Sequence, residues 1–278
     1  MAEASKKSGG KPDLATLLGV FLALGGIVGG LLLEGGKLHD IAQLTAALIV
    51  LGGTMGAVMV STPMRVILHA IKRLRHVVMD TELAPHLVIE EIILYAGSAR
   101  RKGLVSLEQD AEGIADPFLR KALGLAVDGC DLGELKKMME LEIQVAEQHA
   151  DLEAKVFENA GGYSPTIGII GAVLGLIQVM KNLANIDEVG HGIAVAFVAT
   201  VYGVALANLF LLPAANKIKA RAHSEIQLNE LMLEGVIAIV EGMNPKLIRS
   251  KLEAYSKSQA PTAKGSAALA GNKAAAEA

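Results

Sequence analysis

Tryptophan is absent from this 278-residue chain, and aromatic residues make up only 3% of it. A binder of single-stranded nucleic acid needs aromatic faces on which bases stack. The formal net charge of −3 supplies no basic field either, so no nucleic acid is expected as a partner. Cys130 is the only cysteine, which excludes an internal disulfide and any multi-cysteine metal site. None of the seven histidines falls at metal-pair spacing on an apolar face. There is no zinc-binding helix motif, no nucleophile elbow, and no glycine-rich loop ending in Lys-Ser or Lys-Thr. Neither enzyme chemistry nor a cofactor is expected. The most telling absence is of charge. Leu14–Leu33, Ile41–Met64, Asn159–Met180 and Gly192–Asn216 contain no Asp, Glu, Lys, Arg or His.

Those stretches are 20, 24, 22 and 25 residues long. A helix needs about 20 residues to cross a bilayer. The chain therefore reads as an all-α integral membrane protein with four transmembrane helices. The spans are assigned to 14–33, 41–64, 159–182 and 192–216. The apolar core of the first is too long for a signal peptide and is expected to be retained. Segment 65–158, between the second and third spans, reads as a helical cytoplasmic domain. Segment 1–13 is a cytoplasmic N-terminus, 217–258 a cytoplasmic helix and 259–278 a disordered tail rich in Ala, Gly, Ser and Lys. The short turns 34–40 and 181–191 hold only Lys37 and Lys181 of the 26 Lys and Arg. By the positive-inside rule, both termini and the middle segment face the cytoplasm.

Within the middle segment, Pro85 can open a helix that Gly103 ends. Ser106 and Gln109 have capping-box spacing, so a helix start is expected there. Asp116-Pro117 starts another, and from Leu132 a proline-free run should form one long helix into the third span. The glycines of the first two spans, Gly25, Gly26, Gly29, Gly30, Gly52, Gly53 and Gly56, read as sites of close intramembrane packing.

An ion carrier needs an ionisable group inside the membrane. This chain has none in its four uncharged stretches; if it moves ions, a partner must bring the carboxylate. In the third span Ser164, Gly168, Gly171 and Gly175 share a face, as do Gly168, Ala172 and Gly175. Such a face meets another helix or a pore. Pro165 removes a backbone donor and frees a carbonyl near Gly161. It serves either as a helix-entry proline or as the source of a carbonyl for water or an ion. In the fourth span Thr200, Val204 and Asn208 share a face. The Thr200 hydroxyl either bonds its own i−4 carbonyl or serves an ion. Pro213 mirrors Pro165 at the cytoplasmic end.

The run Tyr163-Ser164-Pro165-Thr166-Ile167-Gly168-Ile169-Ile170-Gly171-Ala172-Val173-Leu174-Gly175 resembles the third span of the flagellar motor stator family MotA/PomA. Ile193–Gly203, with Leu211-Leu212-Pro213 beyond it, resembles the fourth, and Arg100–Glu108 resembles the family's cytoplasmic charged motif. The resemblance implies a homopentamer around a MotB-type, peptidoglycan-anchored partner that supplies an intramembrane Asp. It also implies the bacterial inner membrane as location. Ion flow through the complex would drive torque on the rotor. The candidate ion pathway is Thr200, Ala172, Pro165 and Tyr202, with Pro165 and Pro213 as coupling hinges. Arg100 and Glu108 match the pair that contacts the rotor switch protein FliG; as bare residues they also read as solvated surface charges. Membrane lipid is the remaining partner.

Sodium-driven relatives carry a hydroxyl residue where this chain has Ala172. A bare sodium ion needs several oxygen ligands, whereas a proton needs the carboxylate and a hydrogen-bonded path. The expected ion is therefore H+ rather than Na+. The alternative within ion-driven machines is an energiser of the ExbB/TolQ type, which usually has three spans. A structural scaffold without an ion path and a solute transporter are the readings of other classes. A transporter would show inverted-repeat halves, and these two hairpins differ in motif content.

Overall fold

The computed structural model describes residues 11–80 and 84–259; the expected disordered tail lies outside the described residues apart from Gln259. The described chain is almost entirely helical, and four of its helical runs are long and apolar enough to cross a membrane. Contacts divide it into two units. Of the described residues, one unit contains 84–143 and 225–259, and the other contains 11–80 and 144–224.

In the membrane-type unit, helix α1 runs from Leu14 to Leu33. Asp13 caps it, its carboxylate accepting from the amides of Ala15 and Thr16. The short helix α2, Leu38–Ile41, is followed by a break at Ala42 and Gln43. The second span then continues as α3 (Leu44–Ala47), a π-helical turn (Leu48–Gly52) and α4 (Gly53–Ser61). It stops at Ser61 because Pro63 disfavours helix at the residue before it. Thr62 is accordingly extended, with φ −138 and ψ 134. Helix α5, Met64–Val78, follows, and Met79–Asp80 forms a two-residue antiparallel pairing with Lys11–Pro12.

In the other unit, α6 (Pro85–Lys102) opens on its proline and ends at Gly103, whose φ of 85 lies in the left-handed region that glycine tolerates. The expected capping box at Ser106 does not form. A 3₁₀ turn, Leu104–Leu107, follows Gly103 and buries Leu107. Ser106 uses its hydroxyl to donate to the Gly103 carbonyl at 2.7 Å. Helix α7 starts only at Glu108 and ends at Glu112. Helix α8, Pro117–Val127, is capped by Asp116 as its sequence suggests. Its buried Leu119 and Leu123 join Ile92 of α6 in one apolar core. That core is completed by Leu135 and Met139, by Met232 and Val236, and by Ile248 and Leu252.

Helix α9 runs unbroken from Leu132 to Lys181, through Pro165. Helix α10, Ile186–Ala205, starts after a four-residue turn and is capped by Asn185. A π-helical turn, Leu206–Leu211, joins it to α11, Leu212–Val240. Pro213 cannot donate to the carbonyl four residues back and its ring crowds that carbonyl. The wider π turn just before it relieves that conflict. Helix α12, Pro245–Gln259, ends the described chain.

Candidate functional site

The third and fourth spans form an antiparallel hairpin joined by an unusually close seam. On α9 the seam residues are Gly161, Ser164, Gly168, Gly171 and Gly175, at alternating steps of three and four. On α10 they are Gly192, Ala196, Ala199 and Gly203. A Cβ added at Gly203 would lie 2.6 Å from the Ser164 carbonyl oxygen and 3.2 Å from the Pro165 Cα. One added at Gly168 would lie 2.9 Å from the Ala199 carbonyl oxygen, and one at Gly175 2.7 Å from that of Gly192. Only hydrogen fits at these points, which is how small residues let helix backbones touch in a membrane. A single buried polar clasp crosses the seam among the described hydrogen bonds: the Ser164 hydroxyl donates to the Gly203 carbonyl at 2.9 Å. Pairing that hydroxyl within the protein avoids the cost of burying it alone.

The seam has two sides. The second span covers one of them. Ile49 approaches Gly171, Ile167 approaches Gly53, and Ala46 and Val50 pack with Val198 and Ala199. The other side carries Pro165 and Ala172 from α9 and Thr200 from α10, all half-buried. Beyond them Phe197, Val204 and Asn208 are exposed. The structure therefore brings three of the four expected pathway residues onto one uncharged face, next to the glycine seam.

Tyr202 is the exception. It follows Thr200 by two residues, which turns it by about 200° around the helix. It packs with Ala46, Val50, Val198 and Ala199 on the second-span side. Its hydroxyl donates to the Ile41 carbonyl at 2.5 Å and accepts from the Gln43 amide at 3.4 Å. The break at Ala42 and Gln43 takes these groups out of the helical ladder; the Gln43 amide bonds the Ile41 carbonyl at 3.2 Å, and the Tyr202 hydroxyl joins both. Its position makes it a tie between spans and not part of the face that holds Thr200.

On that face, the Thr200 hydroxyl donates to the Ala196 carbonyl at 3.2 Å. Its hydrogen is thus engaged by its own helix, and its oxygen keeps lone pairs that can accept from water or from a protonated carboxyl group. Pro165 has no amide to offer the Gly161 carbonyl, which leaves that acceptor without its usual helical donor. The Thr166 hydroxyl donates to the Tyr163 carbonyl at 2.7 Å. The chemistry available is therefore acceptor oxygens in an apolar, uncharged setting.

At the open end of the same hairpin, beyond Pro165 and beside Gly161, Pro213 is exposed at the start of α11. One turn further on stands a charge cluster that the sequence did not reveal. The second oxygen of Asp13 accepts from Lys217 and from Arg221, the latter at 3.1 Å, while its first oxygen caps α1. Lys217 also donates to the Thr16 hydroxyl at 2.5 Å. The Lys217 hydrogen bond holds the Asp13 carboxyl well below the usual carboxylate range, against the opposing effect of burial. The cluster fastens the start of the first span to the helix that extends the fourth. An aspartate before an apolar run and cations after another were the only clues, 204 residues apart.

In the other unit, Arg100 lies in the last turn of α6 and Glu108 in the first turn of α7, both exposed. Arg100, Arg101 and Lys102 stand where the helix dipole favours cations, and Glu108 where it favours an anion. Gly103 turns the chain between them. Glu90 and Arg249 form a two-pronged ion pair on the same unit, with 2.7 Å for its longer arm, and Arg249 lowers the Glu90 carboxyl pKa.

Residues 17–100 match the motility protein A N-terminal family model, and residues 110–231 match the MotA/TolQ/ExbB proton channel family. Motility protein A of Bacillus subtilis (strain 168) is 36% identical over 247 residues, covering 87% of this chain and 90% of that protein. Chemotaxis protein PomA of Vibrio alginolyticus is 31% identical over 243 residues, covering 87% of this chain and 95% of that protein. Among solved structures, the flagellar MotAB stator complex from Bacillus subtilis matches with a TM-score of 0.81 at 36% identity, over 87% of this chain and 95% of that one. The structure of C. jejuni MotAB matches with a TM-score of 0.83 at 33% identity, over the same shares.

Proposed function

The chain belongs to the motility protein A family, within the MotA/TolQ/ExbB proton channel family, and from that membership we propose how its spans carry an ion. It is a stator subunit of the bacterial flagellar motor, a membrane protein that couples ion flow to torque. Its work is mechanical and not enzymatic. The energiser reading of the ExbB/TolQ type fails on residues 17–100, which match the motility protein model.

The observation that carries the rest is the uncharged face of Pro165, Ala172 and Thr200. An ion entering a bilayer needs a titratable or charged group there, and the stretches 14–33, 41–64, 159–180 and 192–216 of this chain hold none. The missing group is an Asp on a membrane helix of a MotB-type, peptidoglycan-anchored partner, laid against this face. The neighbours solved as MotAB complexes support such a pairing. Thr200 then offers an acceptor oxygen beside the partner carboxylate. The Gly161 carbonyl, which has no Pro165 amide as its helical donor, offers another toward the cytoplasmic end of the span. Five copies surround two partner helices, so each carboxylate meets successive copies of the face. Pro165 and Pro213 are the hinges through which neutralisation of the Asp changes the ends of the spans.

The ion is a proton. Ala172 adds a methyl group where a sodium site needs a further oxygen. The complex lies in the bacterial inner membrane with both termini cytoplasmic, following the Lys and Arg distribution. Arg100 and Glu108, exposed and separated by one glycine turn, form the contact to the rotor switch protein FliG.

The test is complementation in cells that lack their own stators, with this chain and its MotB-type partner. Bead rotation should continue when external sodium is withdrawn at constant proton-motive force. A motor that stops on sodium withdrawal overturns the proton assignment. Arg100→Glu should cut rotation several-fold while the complex stays assembled. If assembly is lost instead, Arg100 serves folding and not the rotor.

A further inference from the structure

We propose that the pocket beside the Asp13 cluster is a phosphate-binding site, and that an anionic phospholipid headgroup supplies the phosphate. The site rests on the membrane reading of the four spans and on no property of the ion path or the rotor contact. The pocket has a volume of about 580 Å³, within the range of small-ligand sites, about 300–1,000 Å³. Its floor is one face of α11, where Pro213, Lys217, Ala220 and Ser224 follow at steps of four, three and four, with Arg221 beside them. Asp13, the residue before the first span, is the described lining residue from outside that helix.

The charges there do not balance. Among the described lining residues two are cations and one is an acid. Lys217 and Arg221 both donate to the same oxygen of Asp13, and the amides of Ala15 and Thr16 take the other oxygen. Asp13 is thereby saturated, and it holds the two cations side by side. A clasp between helices needs only one of them. The side chains of Lys217 and Arg221 are 29% and 15% exposed. A surplus positive charge so far out of water costs free energy until a counter-ion meets it. An ammonium has three hydrogens, and Asp13 and Thr16 take two of those on Lys217. The third, with the side-chain amide of the exposed Asn216 on the same pocket, can serve an anion. Phosphate oxygens and charged donors make hydrogen bonds of the strong kind.

The surroundings point to a lipid as the source. The pocket lies where two apolar runs end, with Asp13 immediately before the first span and Pro213 and Asn216 at the close of the fourth. The first span has no residue buried within the chain, and Leu14, Leu18 and Phe21 next to the pocket are exposed. A phosphate seated on Lys217 and Arg221 therefore lies level with headgroups, and its acyl chains can run along the first span. The surplus positive charge selects an anionic headgroup over a zwitterionic one.

The experiment uses the full complex with its MotB-type partner, delipidated in neutral detergent, and follows thermal unfolding as ligand is added. Phosphatidylglycerol should raise the unfolding temperature saturably, at a half-saturating concentration several-fold below that of phosphatidylcholine. Ala220→Asp places a carboxylate on the exposed pocket wall without removing any group that bonds Asp13, and it should abolish that preference. Asn216→Leu removes a neutral donor and should weaken phosphatidylglycerol several-fold, which guards against one variant failing to assemble. Inorganic phosphate is titrated in the same way. A shift with phosphatidylglycerol that the variants lose, and no response to inorganic phosphate, assigns the site to a lipid headgroup. A response to inorganic phosphate that Ala220→Asp removes supports the phosphate site and overturns the need for a lipid. No shift with either ligand, or variants that respond as the parent does, overturns the proposal. Unfolding is read without ion flux or rotation, so the outcome is the same whichever ion the complex carries.

Discussion

The first span and the hairpin of the third and fourth spans are both rich in glycine, and the glycines do opposite things. A Cβ added at Gly19, Gly25, Gly26, Gly29 or Gly30 of the first span would meet nothing within 4 Å. No residue of that span is buried in the chain. At Gly168, Gly175 and Gly203 the same atom would strike backbone of the facing helix below 3 Å. The expectation of close packing thus fails within this chain for the first span and for Gly52 and Gly56. It holds for Gly53, which meets Ile167. Composition reports that backbones could approach; only the fold decides which ones do. The close seam is also the one that positions Thr200, Ala172 and Pro165, so on the proposed ion path its glycines act through geometry.

The comparison can be broken most forcefully at Gly203. Gly203→Val should prevent the seam from closing, with loss of the partner complex from membranes and loss of rotation. Even Gly203→Ala carries the cost of overpacking, about 1–3 kcal/mol. Normal amounts of complex with Gly203→Val would show that the seam is loose. Next in size is Ser164→Ala, which removes the clasp to the Gly203 carbonyl. A loss of about 1 kcal/mol in thermal unfolding in detergent is expected, with rotation reduced less than by Gly203→Val.

Asp13→Asn sharpens the picture at the cytoplasmic end. Asn still caps a helix well, so the substitution isolates the bonds to Lys217 and Arg221. It should cost about 1 kcal/mol. The Asp13 carboxyl pKa is lowered in the fold, so its stabilisation is fully present above the ordinary carboxylate value and is lost only as pH falls below it. The effect of Asp13→Asn should therefore be the same from about pH 6 to about pH 8. A deficit that changes across that range would contradict the charge pairing. The smallest effect belongs to Gly26→Ala, within about 0.5 kcal/mol of the parent and with normal swimming. A severe swimming defect there would reveal a neighbouring copy against the first span.

The four spans were legible in the sequence because charge vanishes over lengths that match a bilayer. The small-residue face of the third span was legible because Ser164, Gly168, Gly171 and Gly175 repeat at helical steps, while the roles proposed for Pro165, Ala172 and Thr200 come from the family pattern. Tyr202 was misplaced for a physical reason. Sequence shows that it shares a helix with Thr200, but the side on which the second span packs is a tertiary fact. The Asp13 cluster was invisible because its members lie at opposite ends of the chain. Ser106 lost its capping role to the turn at Gly103, where a local 3₁₀ bond competes with the cap.

The most direct measurement of the central claim is proton flux through the reconstituted complex with its MotB-type partner, comparing Thr200→Ala with Gly26→Ala. On the ion path proposed here, along the face beside the glycine seam, Thr200→Ala should lower the flux several-fold with the complex intact, and Gly26→Ala should leave it unchanged. Equal flux in both variants would contradict the assignment of the ion path to the third and fourth spans.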